Sequence, residues 1–251
     1  MKISLVMITK NEENNLSKSL LSVVDLVDEI IVVDSGSTDN TVKIAKDFGA
    51  IVEIREFDSF TNQKNYALSL ANNEWVLHLD ADEIVSQELK QEIKQKLDNT
   101  KFDGFYLIRN NFFLGKQMKH AGLSKEKRLR LAKKSLSKYT GGLIHEELVV
   151  AGKTGYMKNT FEHHPYPALN NFFSKFDQYT TLGAMKIYEK NKKFYITDIT
   201  FRPLIEFTKR YIFRLGFLDG LEGFIWAVLG TFYVFVKYIK LRQLEITNKN
   251  N

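Results

Sequence analysis

The sequence predicts an α/β protein: a mostly parallel sheet flanked by helices, followed by a helical, basic C-terminal region. Three observations predict it. Strand-like and helix-like patterns alternate through the first hundred residues. Three of the strand-like runs end on polar clusters. Charge is also divided: residues 1–99 hold 10 Lys and Arg against 18 Asp and Glu, whereas residues 100–251 hold 26 against 12.

The elements follow from local pattern. Ile3 to Ile8 is a short apolar run, and Asn14 to Val24 places Leu16, Leu20, Leu21 and Val24 at helical spacing. Glu29 to Asp34 is a β-branched run ending on a carboxylate, and Ser35-Gly36-Ser37 is a turn. Thr38 to Phe48 reads as a helix with Ser37 or Thr38 as N-cap and Gly49 past its end. Strand Ile51 to Arg55, helix Phe60 to Ala71, strand Trp75 to Leu79 and helix Gln87 to Leu97, capped by Ser86, complete the alternation.

Beyond residue 100 the pattern changes. Gly104 to Phe113 and Arg128 to Ala132 read as strands, and Gly141 to Glu147 as a glycine-led loop. Helices resume over Asn170 to Glu189 and again after Pro203, where Leu204, Phe207, Tyr211, Leu215 and Leu218 form an apolar stripe with Lys209, Arg210 and Arg214 between them. This last pattern predicts an amphipathic surface helix.

Composition excludes several classes. With 44% hydrophobic and 26% charged residues and three prolines, the chain is neither disordered nor fibrous. The absence of cysteine excludes disulfides, Cys-ligated metal and thiol catalysis. Met1 to Lys10 lacks a secretory pattern, so the expected location is cytoplasmic. Gly223 to Val236 is an uncharged stretch of 14 residues with basic flanks. That is shorter than the roughly 20 residues that span a bilayer, and it predicts a segment lying in the interface of an anionic membrane.

In a doubly wound sheet the ligand sits beyond the carboxyl ends of the strands. Thr9-Lys10-Asn11-Glu12, Asp34-Ser35-Gly36-Ser37 and Asp80-Ala81-Asp82-Glu83 occupy those ends and are expected to converge. Residues two apart at a strand end face one side, so Asp80 and Asp82 can present two hard oxygen ligands to a divalent cation that bridges substrate phosphates. The competing reading of this triplet is a solvated turn that caps the next helix. Asp34 suits a turn former as well as a nucleotide contact.

Together, Ile8-Thr9-Lys10-Asn11-Glu12-Glu13, Val32 to Thr41, Gln63-Lys64-Asn65 and Leu79-Asp80-Ala81-Asp82-Glu83 resemble the family 2 inverting glycosyltransferases of GT-A fold. Within that family the chain looks most like bacterial lipopolysaccharide core β-glucosyltransferases acting on an inner-core heptose. The second half matches more loosely, through Gly141 to Glu146 and Gly216-Phe217-Leu218-Asp219-Gly220 with Gly223. The resemblance implies a nucleotide-sugar half at 1–100, an acceptor half at 101–168 and a membrane-associating region at 169–251. It implies that Thr9 and Glu12 line the nucleotide pocket, Asp34 touches uracil or ribose, and Lys64 approaches the diphosphate. It further implies that Asp80 lies near ribose and metal while Asp82 ligates Mg²⁺ or Mn²⁺. Many family members carry two adjacent aspartates where this chain has Asp34-Ser35, which leaves the nucleobase contact to Asp34 alone.

An inverting transfer needs a base for the acceptor proton. Glu146 falls where the family's acceptor-side carboxylate is expected, with Glu147 and Asp219 as rivals. His163-His164-Pro165 lacks the further soft ligands of a zinc site, and most of the five histidines read as structural or solvent-facing. The expected partners are a UDP-sugar, a lipid-linked phosphorylated glycan and an anionic membrane surface at the inner face of the cytoplasmic membrane, with no nucleic acid. Three alternatives stand beside this: a family 2 enzyme for another cell-surface glycan, a nucleotidyltransferase, and a non-enzymatic basic membrane-binding module. The nucleotidyltransferase lacks its basic triphosphate loop, since Lys10-Asn11-Glu12-Glu13 has the wrong chemistry.

Overall fold

The computed structural model of the chain describes residues 1–141, 146–166 and 169–247. Two compact units form, Met1–Asn110 with Glu126–His163, and Asn111–Lys125 with His164–Asn251.

The first unit opens with β1 (Ile3–Thr9), α1 (Leu16–Leu21), β2 (Glu29–Asp34), α2 (Thr41–Asp47), β3 (Ile51–Ile54), α3 (Phe60–Leu70) and β4 (Trp75–His78). It continues with β5 (Glu83–Val85), α4 (Gln87–Leu97) and β6 (Gly104–Phe113). The last residues of β6, Phe112 and Phe113, belong to the second unit and pair there with β7 (Lys116–Gln117). Then come β8 (Glu126–Lys133), β9 (Ser137–Gly141), β10 (Glu146–Val150) and β11 (Thr154–His163). The main sheet runs β3-β2-β1-β4-β8-β6-β11-β5. Its first four strands are parallel, as the alternation predicts, and β8 turns the direction antiparallel beside β4.

The central strands are apolar because both faces are covered. On one face Leu5, Met7, Val32 and Leu77 pack with Leu16, Leu20, Leu89, Ile93 and Phe161; on the other Val6, Ile31, Val33 and Val76 meet Ala67, Leu68 and Ala71 of α3 and its C-terminal end. Each such large side chain contributes roughly 1.5–3 kcal/mol on burial. Ser86 caps α4 as expected, its Oγ accepting from the Leu89 N–H at 3.1 Å.

Several boundaries differ from the sequence reading. Helix α2 starts at Thr41 and not near Thr38, because Ser37 and Thr38 are taken up by the preceding loop: the Asn11 N–H donates to Ser37 Oγ and the Thr38 N–H to Asn11 Oδ1. Helix α1 is shorter than the apolar spacing suggests. Gly141 and Glu146 end and begin paired strands, so the loop read over Gly141 to Glu147 is a hairpin whose residues 142–145 lie outside the described residues.

The second unit holds β7, α5 (Leu169–Glu189), α6 (Thr197–Thr208) and α7 (Gly220–Thr247). Pro203 lies inside α6 where the sequence suggested a start after it. The single amphipathic helix expected over 204–218 is instead broken. A π-helical turn over Lys209–Phe213 and a 3₁₀ turn over Gly216–Asp219 separate α6 from α7, with Leu215 at φ +54°. A side chain at Gly223 would put its Cβ 1.9 Å from the Gly216 carbonyl oxygen, so this corner admits only glycine there. In α7 the buried residues are Gly223, Ala227, Gly230 and Leu241, whereas Phe224, Val228, Phe232, Phe235 and Ile239 are exposed. Three of the four buried positions are small, and these five large apolar side chains lie outward.

Candidate active site

The three strand ends converge as expected. The loops after β1 and β2 are tied together side by side. The Glu12 N–H donates to Thr41 Oγ1 at 2.7 Å, the Glu13 N–H to Asp39 Oδ2 at 3.2 Å, and the Asn40 N–H to Glu13 Oε2 at 3.1 Å. Thr9 and Asp34 are register partners across the two strands, and Thr9 Oγ1 donates to Asp34 Oδ2 at 2.8 Å. Asp34 is fully buried. Its Oδ1 accepts from the Gly36 and Ser37 N–H groups at 2.9 and 2.7 Å, and the Ser37 hydroxyl donates to Oδ2. The carboxylate therefore holds the turn that follows it, and Gly36 takes the positive φ of +79° that this turn requires.

Three consecutive residues of α3 reach three parts of the unit. Gln63 Nε2 donates to Ser35 Oγ at 3.1 Å in the loop after β2. Asn65 exchanges hydrogen bonds with the Tyr139 backbone of β9 at 2.8 and 2.9 Å. Between them Lys64 Nζ lies 3.0 Å from Asp80 Oδ1 and 2.8 Å from Glu146 Oε1. Burial opposes the ammonium charge of Lys64, but Asp80, Tyr139 and Glu146 together outweigh it and raise the pKa. Lys64 is thus a paired, buried cation and not a solvated helix charge.

Asp80 to Glu83 form a tight turn after β4, closed by the Glu83 N–H on the Asp80 carbonyl and the Asp80 N–H on Glu83 Oε2, each at 3.0 Å. This turn sends the two aspartates to different surroundings, where strand alternation placed them on one side. Asp80 meets two cations, Lys64 and, at 2.7 Å, Arg130 of β8. Burial pushes its carboxyl up, yet Arg130 and Lys64 together hold it well below the usual range. Arg130 also bridges to Glu83. Burial lifts Glu83 to about 7 against the attraction of Arg130, with Asp80 and Asp82 adding to the rise.

Asp82 faces β11, where His163 Nε2 stands 3.7 Å from its Oδ1. Burial pushes the His163 imidazole down to about 4 despite the nearby Asp82, so the ring is neutral at physiological pH. A neutral imidazole beside a carboxylate suits one divalent cation whose remaining ligands are diphosphate oxygens and water. Among the described residues no cluster of three or more acidic or histidine ligands exists, so protein atoms alone would not complete such a site. Asp82 and His163 fit the role directly. Asp80, with both oxygens paired to cations, fits it only through the turn.

Glu146 opens β10 and points at Lys64, whereas Glu147, on the opposite face of the strand, is exposed. Asp219, the other rival, lies in the second unit, where it accepts from the Lys119 and His120 N–H groups at 3.1 and 2.8 Å and sits 3.1 Å from His120 Nδ1. It anchors that loop. The sequence reading did not single out Arg130 or Tyr139, and it weighed His163 for a zinc site and set it aside. Arg130 was not legible: in Arg128-Leu129-Arg130-Leu131 the alternation sets it on the same face as the exposed Arg128, and only the pairing of β8 with β4 buries it.

Comparison with known proteins fits this arrangement. The model of glycosyl transferase family 2 matches residues 4–148. The chain belongs to glycosyltransferase family 2. An uncharacterized glycosyltransferase of Rickettsia typhi is 30% identical, over 99% of this chain and 89% of that protein. The lipopolysaccharide core biosynthesis glycosyltransferase LpsC of Rhizobium meliloti is 29% identical, over 96% and 92%. Among solved structures, Staphylococcus aureus TarS 1–349 in complex with UDP-GlcNAc gives a TM-score of 0.48 at 15% identity, covering 100% of this chain and 92% of that one. Glucosyl-3-phosphoglycerate synthase of Mycobacterium tuberculosis, with Mn²⁺ and UDP, gives 0.36 at 26% identity over 44% and 43%. The sheet of this glycosyltransferase is mixed and helix-flanked, parallel over β3-β2-β1-β4 with antiparallel pairs beyond, in keeping with the expected GT-A class.

Proposed function

We propose that this family 2 glycosyltransferase moves a hexose, in the first instance glucose, from a UDP-sugar to an inner-core heptose of a lipid-linked, phosphorylated glycan. The observation that carries the reading is the pairing of Asp82 with neutral His163 beside the Lys64–Asp80–Glu146 cluster at the carboxyl edge of β4. The match to LpsC along nearly the whole chain supports a lipopolysaccharide core acceptor.

In this reading Thr9, Glu12 and Asp34 form the nucleotide pocket, with Asp34 acting through the turn it holds. Lys64 stands at the diphosphate and Asp80 fixes it there. Mg²⁺ or Mn²⁺, when bound through Asp82 and His163, supplies neutralising charge for the leaving diphosphate. The acceptor hydroxyl oxygen forms its bond to the anomeric carbon from the face opposite the diphosphate. The carbon–oxygen bond to UDP breaks, and Glu146 takes the hydroxyl proton.

The second unit is read as lying on the inner face of the cytoplasmic membrane. Helix α7 is long and apolar enough to cross a membrane by length and composition, and its most apolar window is 17% buried. The basic residues Lys237, Lys240 and Arg242 along its last turns favour an interfacial position. A donor screen by product mass tests the reading, with Mn²⁺, a panel of UDP- and GDP-sugars and truncated core acceptors. Transfer from UDP-glucose to a heptose-terminated core is expected. Transfer only from GDP-sugars, or only to a non-core glycan, overturns it.

A further inference from the structure

The second unit contains a cavity of about 250 Å³ between α5, α7 and the π-helical turn before Arg214. Its walls are aromatic, with Tyr166, Phe172, Phe176, Trp226 and Tyr233 around Arg210. Tyr233 Oη donates to the Tyr179 carbonyl at 3.2 Å and so ties α7 to α5 across it.

Charge is unevenly placed around these rings. Arg210 stands 5.4 Å from the Trp226 ring centre, Lys175 5.9 Å from Tyr166 and Lys237 5.5 Å from Tyr233. One acid, Glu206, engages Arg210, and it does so through Nε alone at 2.6 Å. The two Nη groups of Arg210 make no hydrogen bond among the described residues, and the buried Trp226 indole N–H has no acceptor there. Gly230 makes room for the guanidinium: a Cβ at that position would lie 2.5 Å from Arg210 Nε.

A ligand suited to this cavity has an apolar body for the rings and an anionic group for the guanidinium. The surface of the same helix, α7, is apolar and exposed through Val228, Phe232 and Phe235. We propose that the cavity binds a phosphorylated amphiphile, a lipid monophosphate whose headgroup meets Arg210 and whose chain lies against the aromatic walls. This rests on the membrane-facing reading of the unit for its source of lipid, and not on the transferase chemistry.

The test uses lipid in solution, so that membrane binding and cavity binding separate. Trp75→Phe leaves Trp226 as the single tryptophan of the full chain. Its emission is followed while dihexanoyl phosphatidic acid is added below its critical micelle concentration. A saturable change is expected, with dihexanoyl phosphatidylcholine and glycerol 3-phosphate each binding about tenfold more weakly or worse. Gly230→Ala, which pushes Arg210 aside without removing any lining side chain, and Arg210→Met are each expected to weaken phosphatidic acid about tenfold, the loss of one charge-assisted hydrogen bond. Thermal melting of both variants checks that they fold.

No saturable response, or unchanged affinity in a folded Gly230→Ala variant, overturns the proposal. Equal affinity for phosphatidylcholine removes the anionic selectivity, and equal affinity for glycerol 3-phosphate makes the ligand a soluble phosphate; either overturns it. Failure to bind the soluble lipid while the chain still sediments with anionic vesicles sinks the cavity and leaves the membrane reading standing. Binding of the soluble lipid without sedimentation does the reverse.

Discussion

The ammonium of Lys64 lies 3.0 Å from Asp80 and so joins α3 to the turn after β4, with Glu146 of β10 on its other side at 2.8 Å. One cation thereby positions two carboxylates that the sequence places far apart. Replacing Lys64 with Met would leave Glu146 unpaired and Asp80 with Arg130 only. Because Asp80 is still a third exposed, the expected loss of stability is below the roughly 3–5 kcal/mol of a fully buried pair. Chemical denaturation would read it, and an unchanged midpoint would mean that the cluster is not structural.

Asp82→Ala and His163→Ala are both expected to weaken Mn²⁺-dependent UDP binding by about 100-fold or more, since in the proposed reading each would be a direct ligand. Calorimetry with UDP, with and without Mn²⁺, separates this from a loss of nucleotide affinity in general. Full transfer by the native chain in EDTA would contradict the metal role.

Glu146→Gln keeps the shape of the side chain and its contact with Lys64 but cannot accept a proton. A fall in kcat of about 10²- to 10⁴-fold is expected, with donor affinity unchanged. If more than about a third of kcat survives, the role passes to Glu147, because both Asp219 oxygens already accept from the loop they anchor.

His78, buried at the end of β4, has no hydrogen-bond partner on either ring nitrogen among the described residues. Burial, with Arg130 and Lys64 nearby, pushes its pKa down to about 3. The unfolded chain then binds the extra proton below pH 6.5, so the contribution is present above that pH and is lost on acidification. Between pH 6.5 and pH 5 it amounts to about 2 kcal/mol. In metal-free protein, His78→Gln is expected to flatten the acid limb of the stability curve by that amount relative to the native chain.

The outward apolar residues beside α7 predict vesicle binding that falls with salt, since exposed charges are screened over about 10 Å at 0.1 M. Phe213, 78% exposed, is a clear target. Phe213→Glu is expected to weaken sedimentation with anionic vesicles about tenfold, on the scale of one buried aromatic side chain. Carbonate-resistant association of the native chain would show that the unit crosses the bilayer instead.

Much of the first unit is legible in the amino-acid sequence. The apolar runs and caps of the first hundred residues locate four parallel strands: burial on both faces leaves a continuous hydrophobic signal in β1, β2 and β4, while the exposed edge strand β3 shows only a short β-branched run. The strand-end motifs locate the site. Helix starts are misplaced where polar residues have two possible uses. Ser37 and Thr38 have good capping side chains, but the neighbouring loop of Asn11 claims them first.

The sequence by itself determined the fold class and the positions of the polar strand ends, since these depend on local periodicity and short-range spacing; the family came from the likeness of whole motifs, which the match over residues 4–148 bears out. Tertiary structure decided which partners each carboxylate meets. Asp80 and Asp82 look equivalent in the chain, yet a tight turn delivers one to Lys64 and Arg130 and the other to His163. It also decided that Gly223, Ala227 and Gly230 of α7 face inward while Phe224, Val228, Phe232, Phe235 and Ile239 lie outward. Neither could be read from spacing, because both depend on partners that lie far away along the chain and become neighbours only on folding.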